Sequence, residues 1–250
     1  MKQWGIPELC RSSHLKWWLI IGGMFLLLTG CSLFKSEASK ELDRSPESLI
    51  SEGLEYYQRK KYKRAIESFQ KLKDRFPYHQ YAIVAEIKLA DSYYLNKEYE
   101  LAAVTYREFE KMHPANEIIP YVIFQMAMCS FHQMPTIDRD QSFTQKALQD
   151  FERLVKNFPK SEYAAQAKIN IVSAKKHLVS HEFYIGEFYM KGKKYDAALG
   201  RFETILTQYP DVPPPPKIKE NIQTCKDRLA DQKQEKDKTP WKLFPLKLPL

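Results

Sequence analysis

Three placements of reactive side chains in this 250-residue sequence invite a chemical reading. His177 and His181 stand four apart, a spacing that puts two imidazoles on one helix face and could hold a metal ion. No glutamate stands between them in the manner of H-E-x-x-H, and no third ligand follows at a recognisable distance, so the pair is read as incidental. Cys129 and His132 are three apart and could form a nucleophile and its base, but no further residue is placed to orient the histidine. The sequence has no glycine-rich phosphate loop, no nucleophile elbow and no paired acid–base constellation. Enzymatic chemistry is not expected, and neither is a metal or a diffusible cofactor.

The third placement is Cys31, and its chemistry is acylation. Lys2, Arg11 and Lys16 precede an uncharged run from Trp17 to Leu28. Twelve residues are too few for a membrane span, which needs about 20, but suit the apolar part of a signal peptide, roughly 7–15. Leu28-Thr29-Gly30-Cys31 closes the run and resembles the lipobox of bacterial lipoproteins. Thr29 and Gly30 are small enough to let a peptidase reach the backbone, and the Cys31 thiol supplies the nucleophile for the diacylglycerol thioether. Residues 1–30 are therefore expected to be a signal peptide and residues 31–46 a lipidated cysteine with a flexible tether. By the same resemblance, Ser32 favours sorting to the outer membrane. Several acyl chains, at about 0.8 kcal/mol per buried methylene, anchor stably where one would not.

Of the other three cysteines, Cys10 leaves with the signal peptide, and Cys129 and Cys225 are read as separate thiols on separate helices. A formal net charge of +8 is basic, yet no basic stripe is interleaved with stacking aromatics, and export argues against nucleic acid as a partner. Only 8 glycines and long charged-apolar runs indicate an all-helical protein.

The elements that must carry any binding surface come from an internal repeat. Gly53, Tyr56, Ala65, Phe69 and Pro77 are spaced 3, 9, 4 and 8. Ala90, Tyr93, Ala102, Tyr106 and Pro114 repeat those intervals, as do Gly186, Tyr189, Ala198, Phe202 and Pro210. Ala147, Phe151 and Pro159 form half of a further copy, displaced by an insertion near residues 131–142. The pattern resembles the tetratricopeptide repeat. The expected fold is an all-α, right-handed superhelical array of about five tetratricopeptide-like helix pairs over residues 47–231. Ten helices are expected, with 161–179 and 181–192 as separate helices of uncertain pairing, and residues 232–250 as a disordered tail.

In such an array the first helix of each pair packs with one stripe and lines a groove with another. Groove candidates are Ile50, Leu54 and Tyr57, then Ile87, Asp91, Tyr94 and Leu95, then Tyr121, Phe124, Met128 and Phe131. For the third set, packing beneath the insertion competes evenly with a groove role. Arg59-Lys60-Lys61 with Lys63-Arg64 is read as a solvated face rather than a lipid or partner contact.

Several stretches carry a narrower resemblance. Arg75-Phe76-Pro77-Tyr78-His79-Gln80-Tyr81, Asp138-Arg139-Asp140, Phe158-Pro159-Lys160-Ser161-Glu162-Tyr163 and Glu187-Phe188-Tyr189 follow the lipobox in this order. Together they resemble the BamD (ComL/YfiO) family of outer-membrane assembly lipoproteins, over about residues 45–230. The resemblance implies a lipoprotein on the periplasmic face of the outer membrane that binds the POTRA domains of the barrel-inserting BamA. It also implies reception of unfolded β-barrel substrates by the N-terminal repeats and contact with BamA by the C-terminal ones. Arg201 matches a family position that contacts BamA, and Asp138, Arg139 and Asp140 are further partner-binding candidates. The insertion before Asp138 is shorter than in enterobacterial members, which bears on contacts with other assembly lipoproteins. The competing function is a periplasmic adaptor in envelope or peptidoglycan maintenance on the same fold.

Overall fold

The computed structural model describes residues 44–238. Cys31, the signal peptide, most of the tether and residues 239–250 lie outside the described residues. Among the described residues there are nine helices: α1 (Pro46–Gln58), α2 (Tyr62–Arg75), α3 (Ala82–Leu95), α4 (Tyr99–Met112), α5 (Ile119–Phe131), α6 (Ser142–Asn157), α7 (Tyr163–Lys191), α8 (Tyr195–Gln208) and α9 (Ile218–Lys238). Each packs on the next, and α5 also touches α7. The result is an all-α array of repeated helix pairs, the tetratricopeptide arrangement the spacing predicts. None of these helices is long and apolar enough to cross a membrane.

Local chemistry sets the helix ends. Ser45 caps α1 by accepting a hydrogen bond from the Ser48 amide at 3.2 Å, and Pro46 follows in the first turn. At the other ends, Phe76, His113, Phe158 and Tyr209 each precede a proline. Steric conflict with the proline ring drives them out of the helical region, to φ −132, −127, −131 and −126.

Inside three pairs the reversal is a Schellman turn. Lys61 N–H donates to Tyr56 O and Lys60 N–H to Tyr57 O. Lys97 and Glu98 repeat this with Tyr94 and Tyr93, and Lys193 and Lys194 with Met190 and Tyr189. The residue that turns left-handed is a lysine each time: Lys60 (φ 58), Lys97 (φ 65) and Lys193 (φ 58). The α5–α6 pair lacks this turn, because the insertion takes its place.

Packing follows the repeat. Phe69, Tyr106, Phe151 and Phe202 are wholly buried, as are Ala65, Ala102, Ala147 and Ala198. A methyl group added to Gly53 would sit 2.5 Å from Phe69 Cε1, and one on Gly186 would sit 2.5 Å from Phe202 Cε1. Glycine at these positions lets the two helices close on the ring.

Two boundaries differ from the sequence expectation. Residues 161–179 and 181–192 are not two helices: α7 is one helix of 29 residues. No glycine or proline interrupts the stretch around Ser180, so nothing there reverses the chain. α7 packs against both α6 and α8, with Ala167 in the core shared with α6 and Val179 in the core shared with α8, so one helix serves two neighbours. The helix count drops to nine for that reason. At the C-terminal end, α9 continues to Lys238, past the expected boundary at 231.

Candidate partner-binding surfaces

The candidates of α3 and α5 converge on a buried carboxylate. Asp91 is 3% exposed. Its Oδ1 accepts from Tyr106 Oη at 2.8 Å and from Tyr121 Oη at 2.7 Å, and its Oδ2 accepts from Lys88 Nζ at 2.8 Å. A carboxylate so enclosed needs this many donors to offset lost hydration. Burial, and then the Asp91 charge, push the Tyr106 and Tyr121 hydroxyls well above the ordinary phenol range. Burial works against the Lys88 ammonium, but Asp91 outweighs it and the lysine is held more firmly protonated than usual. Lys88 Nζ also lies 4.9 Å from the centre of the Tyr57 ring, a cation–π contact. One charged cluster thus ties α1, α3, α4 and α5 together, with Tyr57 and Tyr121 half-buried at its surface.

Other groove candidates divide. Ile87 lies in the core. Phe124 and Phe131 pack on the wholly buried Phe151, at 5.8 and 5.9 Å between ring centres. Phe124 also meets Tyr163 of α7 at 5.4 Å. Their apolar character belongs largely to packing. Tyr94 keeps a different position: its hydroxyl lies 2.9 Å from His132 Nε2, and the His132 ring stacks on Tyr99 at 5.1 Å. Burial pushes the Tyr94 hydroxyl up to about 12. Tyr57 and Tyr94 are thus held in place with part of each ring open to solvent.

The insertion between α5 and α6 has its own fastening. His177 Nε2 donates to Pro135 O at 2.8 Å, and His181 Nδ1 donates to Ile137 O at 2.6 Å. The i, i+4 histidine pair therefore has a task after all: it clamps the loop onto α7. Buried Gln141 closes the loop from inside, donating to Thr136 O and Arg139 O at 2.9 Å each. Asp138, Arg139 and Asp140 stay exposed on this braced loop. Asp140 accepts from the Ser142 amide at 2.9 Å, just before α6, and the Ser142 hydroxyl and amide hold its carboxyl below the usual range. The Thr136 hydroxyl does the same for Asp138.

At the C-terminal end, Arg201 of α8 is not a lone surface cation. Its Nη1 donates to Glu182 of α7 at 3.1 Å, with the glutamate 16% and the arginine 43% exposed. Phe188 and Tyr184 of α7 are exposed near the same end of the array. Sequence reasoning missed Lys88, Gln141 and Glu182. Only Lys88 had a legible signal, its i, i+3 spacing to Asp91; the other two depend on contacts made by folding.

Cys129 and Cys225 are both free and buried. Among the described residues, no three His, Cys, Asp or Glu side chains gather as a metal site.

The geometry defines a helical-repeat protein that presents braced side chains along an extended array. The chain belongs to the YfiO family of outer membrane lipoproteins, whose family model matches residues 42–239. It is 33% identical over 191 residues to the outer membrane protein assembly factor BamD of Rickettsia prowazekii, covering 76% of this chain and 74% of that protein. Proteins of the same name from Caulobacter vibrioides and Neisseria meningitidis are each 27% identical. The former match covers 67% of this chain and 55% of that protein, the latter 76% of each.

Proposed function

We propose that this chain is a lipid-anchored scaffold for assembly of β-barrel proteins, held at the periplasmic face of the outer membrane through Cys31. Its N-terminal pairs receive unfolded barrel segments along the face that carries Tyr57 and Tyr94, with Tyr121 beside them. Its C-terminal pairs hold the periplasmic POTRA domain of a BamA-like barrel protein at Arg201, with Asp138, Arg139 and Asp140 as a second contact. What carries the reading is the family match, which runs through the whole described array. The braced tyrosines support it, since rigid half-exposed aromatics suit anchoring of apolar segments.

The Glu182 pair shapes the test. A charge reversal at Arg201 would set two carboxylates face to face within the chain, so lost binding could come from local repulsion. Arg201→Gln avoids this. Co-purification of a POTRA-bearing barrel protein with the native lipoprotein is expected to fall at least several-fold in Arg201→Gln, with melting temperature nearly unchanged. The companion Glu182→Gln frees the guanidinium and is expected to keep the partner. Equal recovery of the partner by wild-type and Arg201→Gln would reject the contact.

A further inference from the structure

The turn between α1 and α2 and the first turn of α2 carry Arg59, Lys60, Lys61, Lys63 and Arg64 within six consecutive residues, and all five are exposed. Half-buried Tyr62 is the exception; its ring meets Tyr57 edge-on at 6.0 Å and pins the turn to the array. The Arg64 guanidinium lies 5.6 Å from the Tyr56 ring centre. Nearby acids are Glu55, which pairs with Arg59 at 3.0 Å, and exposed Glu67. Lys60 moreover sits at φ 58, where glycine would be less strained. The other two Schellman turns carry fewer cations: Lys97 is followed by Glu98 and Glu100, and Lys191, Lys193 and Lys194 by Asp196. Among the three Schellman turns, basic residues are densest at the one nearest Cys31.

We propose that this turn is an electrostatic foot that rests on anionic phospholipid headgroups beside the lipid on Cys31. The inference rests on the lipid anchoring of Cys31 and is independent of the Arg201 contact. The reach suffices. At most about 3.4 Å per residue, the chain from Cys31 to Arg44 spans up to roughly 45 Å, and α1 adds about 20 Å. Charge complementarity selects the occupant. Clustered lysines and arginines next to a lipid anchor gain on the order of fivefold in partition per residue on an anionic surface. A polybasic patch is also a recognised second signal beside acyl chains. The foot would fix which edge of the array faces the membrane, where the lipid alone leaves the array free to swing.

The test uses the mature acylated protein in vesicles of phosphatidylcholine alone or mixed equally with phosphatidylglycerol. A fluorophore is placed at Gln58→Cys, on the turn, or at Tyr78→Cys, fully exposed between α2 and α3 at the other end of the pair. Buried Cys129 and Cys225 are protected from labelling. Quenching by a headgroup-labelled lipid is expected to be several-fold stronger at the Gln58 site than at the Tyr78 site in anionic vesicles. Molar salt should abolish the difference, because it shortens screening to about 3 Å. The triple change Lys60→Glu, Lys61→Glu and Lys63→Glu should bring quenching down roughly tenfold or more, to the level in neutral vesicles, with helical content unchanged. Equal quenching in both vesicle types would overturn the proposal. So would a triple variant that keeps full quenching but loses a co-purified protein, which would make the turn a contact for an acidic protein. Flotation with vesicles reports the anchor separately, and a protein that fails to float would remove the ground on which the proposal stands.

Discussion

Asp91 accepts hydrogen bonds from two phenols and one ammonium in a place nearly closed to solvent. Removing it would leave Tyr106 Oη and Tyr121 Oη without their shared acceptor and Lys88 without its counter-charge. Asp91→Ala is expected to cost about 3 kcal/mol, and Asp91→Asn less, since it keeps one acceptor. Urea titration followed by circular dichroism measures both. Cys129 makes a second residue-scale expectation. Burial raises its thiol from an ordinary 9.0 to about 12. Well below pH 9 the thiol is neutral in both folded and unfolded chains. Above it the unfolded chain ionises first, so the folded state binds the extra proton and stability falls as pH rises toward 12. Native Cys129 should therefore resist iodoacetamide at mildly alkaline pH and react once urea unfolds the chain, as peptide mass analysis would show. Ready alkylation of the folded protein would contradict its burial.

At the scale of elements, the helix pairs depend on glycine where rings fill the space and tolerate lysine where glycine would fit better. Gly53→Ala and Gly186→Ala should each destabilise by about 1–3 kcal/mol, because Phe69 or Phe202 must move from a position of full burial. Both residues lie inside helices, where alanine has the better propensity, so a gain in stability would show that the rings yield freely. Lys97→Gly should act in the opposite sense. The left-handed turn at φ 65 costs a side-chain residue about 1 kcal/mol, and glycine relieves part of that. A rise of a few degrees in melting temperature is the expected readout, with no change in helical content.

The whole molecule is a chain of neighbours, with α7 as its long member. In such arrays stability is close to a sum of local and nearest-neighbour terms. Because α7 spans two neighbours in one rigid piece of about 44 Å, it couples the C-terminal helices to the middle of the array. Ser180→Pro tests this. Ser180 is exposed, so no packing is lost, but the proline removes an internal hydrogen bond and clashes with the preceding turn, costing about 3 kcal/mol. Hydrogen exchange in α8 and α9 should then speed up well before exchange in α1 to α4. Uniform acceleration along the array would mean that the protein unfolds as one unit whatever α7 does.

The repeat spacing determined much of this protein without any structure. Gly53, Ala65, Phe69 and Pro77 and their copies prescribe where helices pack and where they end, because each acts at its own helix end or on the adjoining helix of its pair. Cys31 and the apolar run before it likewise express local chemistry, and they form an expectation that residues 44–238 do not reach. The long helix was misread as two because the copy beginning near Gly186 suggested a fresh start, although nothing around Ser180 could turn the chain. What only the tertiary structure decided involves partners far apart in sequence. Asp91 was legible only as a groove candidate on α3; its burial depends on Tyr106 and Tyr121, which donate to it from two other helices. His177 and His181 were legible as a pair on one face, but their acceptors are the backbone carbonyls of Pro135 and Ile137, which no side-chain type announces. Arg201 was legible as a cation, while Glu182 reaches it only because α7 and α8 pack side by side. Periodicity constrains which face of a helix is buried; which polar groups meet across that face depends on the angle and register at which two helices dock, and those are set by the summed packing of the array.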